Sequence, residues 1–153
     1  MRVAVEAGGV HRGAMSDSPA NSDSLPGSFW TAAGRGCRLA CPRCGQGRLF
    51  RSWLKVVPAC TACGQDWSLQ RADDFPAWIA IIASGHILAP VTITLAADYE
   101  LSPAALALTL LPAATALVLG LLQPAKGAVV AMQWWHGLHG FTKERAAQPA
   151  SGD

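Results

Sequence analysis

The chain has 153 residues and a formal net charge of +2, with only 14% of its residues charged, where a soluble domain carries roughly 25%. Its twelve Lys and Arg are unevenly placed: nine lie between Arg2 and Arg71, three between Lys126 and Arg145, and none in the 54 residues from Ala72 to Ala125. That window holds four acids, Asp73, Asp74, Asp98 and Glu100, too few charges to cover the surface of a soluble globular domain.

Residues 1–34 are rich in Ser, Gly, Ala, Asp and Asn without a periodic apolar pattern, and are read as a disordered tail. Met15 opens the stretch MSDSPANSDS and offers a second start site.

Residues 35–71 form a metal module. Four of the five cysteines make two C-x-x-C-G knuckles, Cys41-Pro42-Arg43-Cys44-Gly45 and Cys60-Thr61-Ala62-Cys63-Gly64, separated by the fifteen residues Gly45 to Ala59. Tetrahedral zinc takes four thiolates, and each C-x-x-C turn can present two to one ion. The spacing falls within the zinc-ribbon range. Disulfides are the competing use of these cysteines, and a cytoplasmic location argues against them because thiols there stay reduced. Zinc and iron both suit such a site. Cys37, four residues before Cys41, is read as a bystander thiol.

Between the knuckles, Arg48 to Arg51 and Leu54 to Val57 predict two short strands, and Trp67 to Leu69 a third. So small a module cannot bury a self-sufficient core, so the metal is expected to supply much of its folding energy. Arg38, Arg43, Arg48, Arg51 and Lys55 would offset the dianionic site. They could also contact nucleic acid. They are read instead as membrane-side charges, and nucleic acid is not expected as a partner.

Two membrane spans follow. Residues 75–97 carry no formal charge, and 101–123 lie in a second apolar run; about 22 helical residues reach roughly 33 Å, the thickness of a bilayer's hydrocarbon. A soluble helical core is the alternative, but two such runs are hard to bury in so small a chain. Asp73 and Asp74 are read as caps of the first helix, with Pro76 in its first turn, and Ser102 with Pro103 as the start of the second. The turn, residues 98–100, permits only an antiparallel hairpin. Basic residues flank the outer ends and not the turn, which places both termini in the cytoplasm. Trp78 and Tyr99 suit the two interfaces.

Residues 127–141 (GAVVAMQWWHGLHGF) read as a short interfacial helix with Trp134, Trp135, Leu138 and Phe141 toward lipid. Residues 142–153 read as a second disordered tail. His136 and His139 could share a face. His86, at the midpoint of the first span, is a candidate intramembrane functional residue, either as a ligand or proton carrier or as a neutral ring hydrogen-bonded to Ser84, Thr92 or another helix beside Gly85.

Cys41 to Phe50 (CPRCGQGRLF), Cys60 to Gly64 (CTACG), Ala72 to Pro76 (ADDFP), Gly85-His86 and Pro124 to Ala128 (PAKGA) together resemble the DUF983 family of bacterial membrane proteins of unknown function. The resemblance covers residues ~35 to ~136. It implies a cytoplasmic zinc-ribbon-like module joined to a two-helix hairpin in the inner membrane, and brings no catalytic residue. The expected function is a non-enzymatic interaction or assembly accessory, anchored in the bilayer beside other membrane proteins or further copies of itself. A redox or metal-handling factor in respiratory-complex maturation is the alternative.

Overall fold

The computed structural model describes residues 25–143. Met15 and the rest of the stretch before residue 25, and the stretch after residue 143, lie outside the described residues.

Helix α1 runs Phe29–Cys37, opened by Ser28, whose Oγ accepts a hydrogen bond from the Thr31 N–H at 3.2 Å. Its first six residues belong to the stretch read as a disordered tail, so that boundary is corrected. Two glycines make this a weak helix by propensity, and packing along α3 overrides it. The antiparallel strands β1 (Phe50–Ser52) and β2 (Lys55–Val56) follow. The expected third strand is absent: Asp66 makes an isolated bridge with Ala59, and Trp67 is fully buried just beyond it. Asp66 then accepts the Ser68 N–H at 2.8 Å, a side-chain turn that ends strand geometry.

Helix α2 spans Phe75–Ala97 and α3 Pro103–His136. Both are long and apolar enough to cross a membrane. Their most apolar windows are 11% and 0% buried within the chain, unlike the mostly buried core helix of a soluble protein. Ile81, Ile82, Ile93, Leu108 and Leu111 point outward, while α2 lays Pro76, Ala80 and Ser84 against α3 at four-residue spacing. Ser102 caps α3 as expected, its Oγ accepting the Ala105 N–H at 3.3 Å. Asp74 occupies the cap position of α2, but its side chain makes no capping bond. Its main-chain carbonyl accepts from Ala77 and Trp78 instead.

The largest departure concerns residues 124–136. They do not form a separate interfacial helix: α3 passes Pro124 without breaking and runs for 34 residues, about 51 Å. Its last three turns leave the apolar hairpin and become the spine of the metal module. Trp134, expected to face lipid, is 1% exposed. It shares one core with Leu49, Phe50, Trp67, Val129, Val130 and Phe141. Gly137, at φ +67, stops the helix, and a single 3₁₀ turn, Leu138–Gly140, brings Phe141 back onto Trp67 at a ring separation of 5.8 Å.

Candidate metal centre

Each knuckle is a tight turn closed by its glycine. The Gly45 N–H donates to the Cys41 carbonyl at 2.8 Å and the Gly64 N–H to the Cys60 carbonyl at 2.9 Å, with φ of +73° and +70°. That left-handed backbone is where glycine is least strained. The bridges Ala40 with Arg48 and Ala59 with Asp66 hold the stems of the two turns.

The knuckles face one another and bring Cys41, Cys44, Cys60 and Cys63 together, with all four sulfurs within 4.8 Å of one another. Cys41 Sγ stands 3.9 Å from Cys63 Sγ, and Cys44 Sγ 3.8 Å from Cys60 Sγ. All four cysteines are free of disulfides, whose sulfurs are about 2.05 Å apart. Four thiolates about 2.3 Å from one tetrahedral ion stand about 3.8 Å apart, so the donor set fits a metal. Zinc or iron would be held by these four sulfurs, which close its coordination shell.

The surroundings prepare the sulfurs unequally. Burial pushes the Cys41 thiol well up. At Cys44 burial is the largest single influence and acts against the thiolate, but the backbone N–H groups of Gly47 and Gln46 and the neighbouring Cys63 and Cys41 thiols together bring that thiol down to about 7. Cys63 is raised by burial, partly opposed by donors that include the Gln65 backbone and the Arg43 side chain. Arg43 is itself only 7% exposed, so this arginine belongs to the site.

Two residues that sequence reasoning passed over shape the centre. A Cβ at Gly47 would collide with Cys60 Sγ, and the backbone N–H of the same glycine bonds Cys44. Arg35 reaches from α1 across the first knuckle and donates to the Arg43 carbonyl at 2.8 Å. The Gly-Gln-Gly run at 45–47 was the available signal for the first. The second depends on α1, which spacing did not reveal.

The remaining candidates are not part of this cluster of four sulfurs. Cys37 is exposed at the end of α1. His136 lies against Phe29 at 5.9 Å and His139 falls beyond the helix end, so the two do not share a helical face. His86 is exposed on α2, its Nδ1 2.8 Å from the Ile82 carbonyl of its own helix and not bonded to Ser84 or Thr92.

A four-cysteine centre built onto a pair of apolar, span-length helices defines a class of small metal-site protein suited to a membrane. A family model described as a protein of unknown function, DUF983, matches residues 50–134. The chain belongs to that family, as its resemblance implied. The match takes in the second knuckle, both long helices and Trp134, while the first knuckle precedes it. No curated protein and no solved structure matches the chain.

Proposed function

We propose that the protein is a non-enzymatic membrane-anchored adaptor, in which a zinc-stiffened module presents a fixed surface to partner proteins at the cytoplasmic face of a bacterial inner membrane. The observation that carries this reading is the continuity of α3: the helix that leaves the apolar hairpin is the spine on which the four-cysteine module is packed. Partner binding at the module and helix packing in the bilayer therefore lie on one continuous helix. A closed set of four thiolates leaves no coordination position for a substrate, which supports a structural role for the ion. The placement of basic residues outside the apolar window supports cytoplasmic termini.

The second reading, a metal-handling or redox factor, draws on Cys63, which is the most exposed of the four ligands, with exposed Cys37 at the end of α1 as a further thiol. Exchange separates the two. The purified full-length protein, loaded with zinc and dialysed against a chelator, keeps about one ion per chain as an adaptor and retains its partners at fixed stoichiometry in mild detergent. Loss of the ion to the chelator within minutes, with the fold intact, would favour the carrier.

A further inference from the structure

His86 lies eleven residues from either end of α2, the depth at which a polar side chain is most costly in a bilayer. Ser84 faces α3, and at about 100° per residue His86 is roughly 200° round the helix from it. The imidazole is accordingly exposed on the side away from the hairpin partner. A carbonyl oxygen can only accept, so the 2.8 Å approach of Nδ1 to the Ile82 carbonyl means that Nδ1 carries the ring hydrogen. In the uncharged ring Nε2 is then an acceptor, and it has no hydrogen-bond partner among the described residues. Four residues on, Pro90 has no N–H to give the His86 carbonyl. One turn of the outward face thus carries an imidazole acceptor and a main-chain carbonyl denied its usual donor. Beside them a Cβ at Gly85 would meet nothing within 4 Å.

In hydrocarbon, acceptors without donors cost several kcal/mol each, and ionisable side chains in spans almost always face a bundle interior. We infer that this face of α2 receives a transmembrane helix of another protein that carries a hydrogen-bond donor at mid-span depth. The stretches of this chain outside residues 25–143 are too charged or too short to fill the place. Among the described residues a second copy offers no free donor at that depth. The hydroxyls of Thr92, Thr94, Thr109 and Thr115 already donate to carbonyls of their own helices at 2.8–2.9 Å. Ser84 is buried on the hairpin seam, and Trp78 is eight residues, about 12 Å, shallower. A partner side chain with N–H groups, such as a carboxamide, satisfies Nε2 and the carbonyl from one helix.

This inference rests on the membrane reading proposed above, and its test separates the two. The full chain, labelled at its N-terminus, is reconstituted in phosphatidylcholine vesicles with Leu-rich spanning peptides labelled for energy transfer, one with a single central Gln and one with Leu there. The wild type binds the Gln peptide about tenfold more tightly than the Leu peptide, and His86→Leu abolishes the difference while zinc content is unchanged. His86→Gln, which keeps an acceptor, restores part of it. Equal binding of the two peptides, or a preference that survives in His86→Leu, overturns the inference. So does energy transfer between differently labelled copies of the chain that His86→Leu abolishes, which would make a second copy the occupant. Failure of the chain to float with the vesicles would instead refute the membrane reading, and this inference with it.

Discussion

Gly36 and Gly127 meet backbone to backbone, and a Cβ built on either would run into the main chain of the other. This contact joins α1 to the spine of the metal module, and it exists only because neither residue has a side chain. Gly127→Ala is expected to push the helices apart and destabilise the module by about 1–3 kcal/mol, the range for overpacked sites. Gly85→Ala, where the new methyl meets nothing within 4 Å, should be neutral or slightly stabilising. Thermal melts of the two variants, followed by tryptophan fluorescence, check the contrast.

Gln133 ties the start of α2 to α3 by imitating a strand. Its Nε2 donates to the Arg71 carbonyl at 2.6 Å, and its Oε1 accepts the Arg71 N–H at 3.0 Å. The side chain is 4% exposed, so Gln133→Leu leaves two main-chain groups short of partners at about 1–3 kcal/mol each. Hydrogen exchange at the Arg71 amide should accelerate at least tenfold in that variant. Unchanged protection would mean that the clamp contributes little.

Gly47 is predicted to be as intolerant as a ligand. Gly47→Ala places a methyl against Cys60 Sγ and should lower the metal content of the purified protein to the level of Cys60→Ser. Gly64→Ala also strains a left-handed turn, but its new methyl has open space, so that variant should keep its metal with reduced stability. Elemental analysis of the three variants distinguishes these outcomes.

These pairs show which parts of the molecule were legible. The knuckles, the two apolar helices and the Ser102 cap each announce themselves within a few neighbouring residues, because thiolate pairing, bilayer thickness and helix-end hydrogen bonds act locally. Helix α1 does not. Its Gly34 and Gly36 look like breakers until Gly127, far along the chain, gives them a surface to fit. The apolar run that ends before Lys126 and the aromatic pair Trp134-Trp135 read as a span ending at the membrane surface followed by an interfacial helix. The choice between lipid and protein for Trp134 depended on Trp67 and Phe141, which only the fold brings to it. Asp74 illustrates the reverse: it has the right residue type at the cap position, yet its side chain makes no capping bond.

The metal-free protein should show a stability optimum in pH. Cys44, lowered from an ordinary 9.0 to about 7, gives up its proton earlier in the folded chain than in the unfolded one. Its contribution is therefore complete above pH 9 and is lost as the pH falls through 7. Cys41 and Cys63, both raised by burial, hold their protons longer when folded, so their contribution is present below pH 9 and falls above it. Melts of the chelated protein should rise from pH 7 toward 9 and decline beyond. A monotonic fall across that range would contradict the assignment of Cys44.

The four facing sulfurs of the knuckles are proposed to hold one ion beside the long apolar helix α3. X-ray absorption at the metal edge of the purified full-length protein tests this most directly. The predicted result is about one zinc per chain with four sulfur neighbours near 2.3 Å, and loss of that shell in Cys60→Ser. A shell containing nitrogen or oxygen, a chain that holds no metal, or a spectrum unchanged by Cys60→Ser would contradict it.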